Sequence, residues 1–324
     1  MKSNAIVAII VSLVVIGAAF VVLTSDLLID SNTMDDSKES DDETPEALGN
    51  ETPFNDAVNA FAFDLFRKIS NDPDNVGNLF YSPYSVFTAL AMTYEGARNN
   101  TADEMERVLS IEQDNDSFHR YMKSLYEYLN ENADYDISTA NALWVRENFE
   151  LLEEYIDTIE TYYGGRFSEV DFSKPEEAAE IINQWVENQT NNLIKNLVPP
   201  DVIDPVMTML ILTNAIYFKG TWQLQFDEAN TTDRDFIDYE GNLIEVPTMC
   251  LTGAEDKFNY TETEDLQILE LPYTGNELSM VILLPKEDVE LSEIINSIDK
   301  DSISEWIDSM YARCMGFFEV ENLS

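Results

Sequence analysis

Val206 to Phe218, VMTMLILTNAIYF, carries no charge and only three polar side chains, Thr208, Thr213 and Asn214. A run of that length, rich in β-branched and aromatic residues and free of Pro and Gly, predicts a strand buried on both faces. Lys219-Gly220 ends it, and Trp222 follows as a large apolar plug. Asn214 is the odd member. An amide left unpaired in a buried strand costs ~1–3 kcal/mol. The strand is therefore expected in mid-sheet, with a polar cluster beneath it.

Elsewhere the apolar positions repeat at three or four residues. Phe54, Val58, Phe61, Leu65 and Ile69 predict an amphipathic helix, stopped by Asn71-Asp72-Pro73. Leu79-Phe80-Tyr81 reads as a short buried strand. Ser82 then stands as N-cap, with Pro83 in the first turn, of a nearly all-apolar helix through Ala97. Thr101 and Glu104 predict a capping box for the next helix. Phe118, Tyr121, Met122, Leu125 and Leu129 mark a further one. Ile137–Val145 is read as a strand, and Phe149 to Ile159 as a helix. A helix capped by Ser173 and Glu176 should bury Ala178, Ile181, Ile182, Trp185, Gln189 and Leu193. After the long strand, extended segments dominate, including a hairpin from Leu266 to Leu284 turning at Thr274-Gly275-Asn276. Ser302 and Glu305 open a last short helix. Helices come mostly first and strands mostly later, with no internal repeat, which predicts an α+β fold.

The N-terminal region has a different character. Ala5–Leu23 is unbroken apolar sequence, with Lys2 before it and no charge until Asp26. Its length suits a membrane-spanning anchor with the body exported, and a cleaved signal peptide is the rival reading. Residues 25–53 are acidic and poor in large apolar groups, as a flexible tether would be. The chain is thus expected to comprise an anchor or signal segment over 1–24, a linker over 25–53 and a globular part over 54–324. It would be extracellular or at the cell surface, anchored by residues 5–23 or secreted after their removal, with that segment as its single membrane contact. Asn50, Asn99, Asn115, Asn188, Asn230, Asn259 and Asn322 each begin an N-x-Ser/Thr triplet.

Charge narrows the partners. The chain has 63 acidic residues against 18 Lys plus Arg, a formal charge of −45. Such a field repels nucleic acid, so no nucleic-acid partner is expected. Cys250 and Cys314 are read as two free, buried thiols, with a single bridge as the alternative. The one histidine, His119, is read as a solvated side chain beside Arg120 and Lys123. Without a second histidine, a C-x-x-C pair, a nucleophile elbow or a Gly-rich phosphate loop, no catalytic residue, metal site or cofactor is assigned. The expected protein is not an enzyme.

Three stretches resemble the signatures of the serpins, suicide inhibitors of serine and cysteine proteases. They are NLFYSPYSVFTALAMTYEGARNNTADEM (Asn78–Met105), LTNAIYFKGTWQLQFD (Leu212–Asp227) and LQILELPYTGNELSMVILLP (Leu266–Pro285), in the family's order. The resemblance runs from about Phe54 to about Trp306. It implies helices around a large mixed sheet A and a smaller sheet B. It also assigns Ser82, Ser85 and Asn214 to the polar shutter between the middle strands of sheet A and the buried helix, and Trp222 to the breach at the strand's upper end. The implied partner is a target serine or cysteine protease, trapped when a cleaved reactive loop inserts into sheet A.

The sequence departs from the family after Met315, where it reads GFFEVENLS instead of the rest of sheet A, a small-residue hinge, the reactive loop and two strands of sheet B. No reactive-centre bond is present in it. The ending is read as a premature stop or frame change, which makes a C-terminally truncated serpin domain, inactive as an inhibitor as written. A non-inhibitory, membrane-anchored serpin-like binding protein is the alternative.

Overall fold

The amphipathic repeat beginning at Phe54 forms a helix, as its spacing predicts, in a computed structural model of the chain. The structure describes residues 10–11, 20–24, 52–73, 77, 79–111, 115–131, 135–237, 242–251, 257–286 and 289–314. In chain order the elements are β1 (Ile10–Val11), β2 (Phe20–Thr24), α1 (Thr52–Ser70), α2 (Pro83–Gly96), α3 (Asn100–Leu109), α4 (Asn115–Asn130), β3 (Asp136–Arg146), α5 (Glu153–Tyr163) and β4 (Gly165–Val170). Then follow α6 (Pro175–Gln189), β5 (Leu210–Lys219), β6 (Thr232–Ile237), β7 (Leu243–Thr248), β8 (Lys257–Glu262), β9 (Leu266–Pro272), β10 (Ser279–Pro285), α7 (Leu291–Ser297), α8 (Lys300–Ser309) and β11 (Tyr311–Cys314). This is an α+β fold.

The chain divides into two compact units. One comprises Asp42–Phe54 and Tyr84–Lys219. Its sheet has the order β4-β3-β5, with β3 parallel to β4 and antiparallel to β5. Phe118, Tyr121, Met122, Leu125 and Leu129 of α4 are all buried, the face their spacing predicts. Against β3 lies a core of Trp144, Phe172, Ala178, Ala179 and Ile182.

The other unit comprises Met1–Asp41, Asn55–Pro83 and Gly220–Ser324. It holds a sheet of order β1-β2-β10-β9-β8-β11 and the ribbon β6-β7. The hairpin β9–β10 turns where Gly275 and Asn276 take φ of 93° and 60°, backbone that Gly and Asn tolerate best. Phe63 and Phe66 of α1 pack with Ile268, Val281, Leu283 and Ile303 as its core.

Several expectations are corrected. β5 is not in mid-sheet: it lies at an edge, with β3 as its only ladder partner among the described residues. Nor is it buried on both faces, since only Thr213 and Ala215 are fully buried and the rest are partly so, apart from exposed Lys219. Leu79–Tyr81 forms no strand, because it finds no ladder partner; Leu79 and Tyr81 face the core and Phe80 is exposed. The capping box at Thr101 and Glu104 does not form, and the other two helix starts are capped differently from their reading. α3 begins after Asn99, and Asn100 takes the Glu104 carboxylate at 2.8 Å. The Ser173 hydroxyl turns to Asp171, and α6 buries Ala178, Ala179, Ile182 and Val186 while Ile181 is exposed. Asp299, not Ser302, caps α8, in a capping box with Ser302.

At the N-terminus, the described part of Ala5–Leu23 is extended rather than helical. β2 pairs with β10 through five residues, from Thr24↔Ser279 to Phe20↔Leu283. Among the described residues no helix is long and apolar enough to cross a membrane. An apolar segment can thus satisfy its backbone on a sheet edge instead of in a bilayer helix. α1 also starts at Thr52, inside the stretch read as linker. Cys250 is free and only partly buried. Residues 315–324, which carry the expected departure from the family, lie outside the described residues, as do Asn50 and Asn322.

Candidate functional site: a polar pair across two strands

β3 supplies the rigid half of the site. From Thr139 to Val145 every residue is buried, so any polar group there needs a partner inside the protein. Thr139 exchanges hydrogen bonds with the Asn130 side chain, its N–H donating at 2.8 Å and its hydroxyl accepting at 2.7 Å. The Trp144 indole donates to the Thr213 hydroxyl at 2.9 Å. Asn141, 1% exposed, donates its amide to the Tyr163 carbonyl at 2.7 Å.

Asn214 completes the set. The β3–β5 register places it directly opposite Asn141, and its Nδ2 donates to Asn141 Oδ1. Its own Oδ1 is buried and accepts no hydrogen bond among the described residues. The amide nitrogen of Asn214 is therefore satisfied across the sheet, by a strand residue. Ser85 lies in the first turn of α2, partly buried, in the same compact unit. Ser82 directly precedes α2 and belongs to the other unit.

Trp222, also in that other unit, is partly buried. Its ring stacks on Tyr273 at 4.3 Å between centroids, nearly parallel at 15°. The backbones are stitched as well: Gln223 N–H donates to the Pro272 carbonyl at 2.9 Å and Thr274 N–H to the Thr221 carbonyl at 2.8 Å. Burial pushes the Tyr273 phenol up, so it remains a neutral ring partner. Trp222 also covers the apolar cluster of Phe258, Leu269 and Leu271.

Sequence reading missed Asn141. The signal was there: Asn141 is the one polar residue in the run Ala140–Val145, as Asn214 is an amide in an apolar run. What the sequence lacks is the register that makes the two meet. It also misplaced His119. That side chain is 15% exposed, bonded to Glu95 Oε1 at 2.9 Å and stacked on Tyr162 at 4.5 Å. Tyr163 OH donates to the same Glu95 oxygen at 2.6 Å. The hydrogen bond to Glu95 raises the His119 pKa. Burial, followed by the Glu95 charge, holds the Tyr163 phenol far above its ordinary range.

The sequence pattern of the family described as Serpin (serine protease inhibitor) matches residues 56–321. The chain belongs to the serpin family. It is 44% identical over 244 residues to an uncharacterized serpin-like protein of Thermococcus kodakarensis, covering 74% of this chain and 54% of that protein. It is 37% identical over 254 residues to the leukocyte elastase inhibitor of Equus caballus, covering 76% of this chain and 65% of the relative. Its fold is similar to that of ovalbumin from the emu, Dromaius novaehollandiae, with a TM-score of 0.75 and 33% identity over 80% of this chain and 71% of that one. The chain spans about half the length of the archaeal relatives it matches.

Proposed function

We propose that this chain is the sheet-bearing part of a serpin-type suicide inhibitor of serine, or cysteine, proteases, acting outside the cell. In this reading a protease cleaves a reactive loop, is held as an acyl-enzyme, and is trapped when the cleaved loop adds to the sheet beside β5. Serpin loop insertion is itself a standard case of strand addition. The observation that carries the reading is β5. It is an edge strand only partly buried, fixed to β3 by the Asn141–Asn214 pair, with its other edge unpaired among the described residues.

Trp222, stacked on Tyr273, is assigned to the breach and Ser82 and Ser85, at the start of α2, to the remaining shutter groups, as the family resemblance implies. No hinge of small residues occurs in the sequence, so inhibition belongs to a protein that joins such a hinge and loop to these residues. The test is a chimera of this chain with the C-terminal segment of the Thermococcus relative, incubated with trypsin-like, chymotrypsin-like and subtilisin-like proteases. An SDS-stable complex supports the reading. Clean cleavage without a complex by every protease refutes it. Export is tested separately, by surface protease treatment of cells; a body protected in the cytoplasm refutes that part.

A further inference from the structure

We infer that His119, Glu95 and Tyr163 form a proton-operated clasp which, through Asn141, tightens the β3–β5 polar pair in acid and loosens it as the medium turns alkaline. The groups form one continuous path within a single compact unit. His119 on α4 and Tyr163 on α5 both reach Glu95 Oε1 on α2, at 2.9 and 2.6 Å. The Tyr163 carbonyl accepts from Asn141 Nδ2 at 2.7 Å, and Asn141 Oδ1 accepts from Asn214. Three helices and two strands are thereby joined by four hydrogen bonds.

The path has a stiff joint. Tyr163 is the last residue of α5, and Gly164 behind it sits at φ 58°, with the Tyr126 ring where a Cβ would stand. The Tyr126 ring packed against Gly164 confines the turn that aims the Tyr163 carbonyl. A shift of its phenol is passed to Asn141 instead of being absorbed. Tyr163 is 1% exposed, and burial keeps its hydroxyl a donor throughout the neutral range.

The proton sits on His119. In the charged state its bond to Glu95 is charge-assisted, about twice as strong as a neutral one. Stacking on Tyr162 favours the same state. When the proton leaves, the Glu95 carboxylate, 9% exposed, keeps only neutral donors. The surrounding groups do not reverse this. From α2, Glu95 faces the ring, with Tyr94 beside it and Arg98 just beyond the helix; Arg98 donates to the Glu95 and Ala97 carbonyls at 2.8 and 2.7 Å. From α4, Asp116 adds negative charge that also favours the imidazolium. From α5 come Glu154, Tyr155, Tyr162 and Tyr163. A cavity of about 320 Å³ bordered by Tyr94, Arg98, His119, Glu154 and Tyr155 gives the ring a route for proton exchange.

The sign follows from the direction of the shift. A histidine whose folded pKa is raised contributes stability that is fully present below its unfolded value of ~6.5 and is lost as pH climbs through the folded value. The clasp does not rest on the inhibitor reading, and its test contains no protease.

Proton NMR of the 324-residue chain reads the clasp directly, because its single histidine gives one titration. The His119 midpoint should lie above ~6.5 and fall in Glu95→Gln. Hydrogen exchange reads the coupling. After correction for intrinsic base catalysis, amides of β5 from Thr213 to Ala215 should exchange about fivefold or more slowly below the midpoint than above it. Amides of β9, in the other unit, should show no step. His119→Gln and Tyr163→Phe should each abolish the β5 step. An ordinary midpoint, or one unchanged in Glu95→Gln, overturns the clasp. A raised midpoint with no β5 step overturns the coupling, and so the proposal.

Discussion

Asn141 and Asn214 stand directly opposite each other on β3 and β5, and the amide nitrogen of Asn214 donates to the side-chain oxygen of Asn141. The bond crosses between the buried strand of the sheet and its partly buried edge. It makes the attachment of the edge strand depend on a polar contact as well as on the ladder. A polar contact can be exchanged for another as a strand moves, whereas interlocked apolar side chains must first be pulled apart.

Removing either member should therefore be costly and unequal. Asn214→Ala leaves Asn141 Oδ1 buried without its donor and should cost ~1–3 kcal/mol. Asn141→Ala also strands the Tyr163 carbonyl and should cost more. For a domain of this size each kcal/mol lowers Tm by about 2–4 °C. Thermal unfolding of the two single mutants and the double mutant checks this. The double mutant should be less destabilised than the sum of the singles.

The stack of Trp222 on Tyr273 should be measurable in the same way. A ring pair in this geometry is worth ~0.5–1.5 kcal/mol beyond the area it covers. A cycle of Trp222→Leu and Tyr273→Leu, followed by denaturant unfolding, should return a coupling of that size. Additive losses would show that the two rings only share a surface.

Asp299 gives a prediction in acid. The Ser302 N–H, its first partner, and the Ser302 hydroxyl region hold its carboxylate below the ordinary range. A depressed carboxylate contributes stability that is present above the unfolded pKa of ~3.9 and lost as pH falls through the folded value. Asp299→Ala should cost ~0.5–2 kcal/mol at neutral pH. The difference from wild type should vanish in strong acid, as seen in Tm against pH.

The overall charge of −45 should make stability depend on salt. Self-repulsion weakens the compact state in dilute buffer, and screening relieves it. Tm should rise between low and molar NaCl. A flat or falling Tm would contradict this.

Much of the fold was legible where local pattern and final environment agree. The five buried residues of α4 announce their face by spacing alone, and Thr274-Gly275-Asn276 announces the hairpin through residues that accept positive φ. The errors lie where a residue had two local partners to choose from. Ser173 turned to Asp171, Glu104 was taken by Asn100, and Ser302 served Asp299 as a reciprocal partner. The apolar run of β5 shows that it tolerates burial, not how many strands flank it. The Asn141–Asn214 contact joins residues 73 positions apart. It requires the β3–β5 register, which no local pattern carries. Family signatures, by contrast, assign Ser82, Ser85, Asn214 and Trp222 without any geometry, and what the structure adds is the partner of Asn214 and of Trp222.

The central claim is that these strands form a sheet built to receive a cleaved loop. It is tested most directly by incubating the chimera carrying the relative's C-terminal segment with a panel of serine proteases and resolving the products on a denaturing gel. The account predicts an SDS-stable complex with at least one protease, lost when a proline-rich hinge blocks strand addition, and none with the 324-residue chain alone. A chimera that is cleaved by every protease without forming a complex, or a complex formed by the 324-residue chain itself, would contradict it.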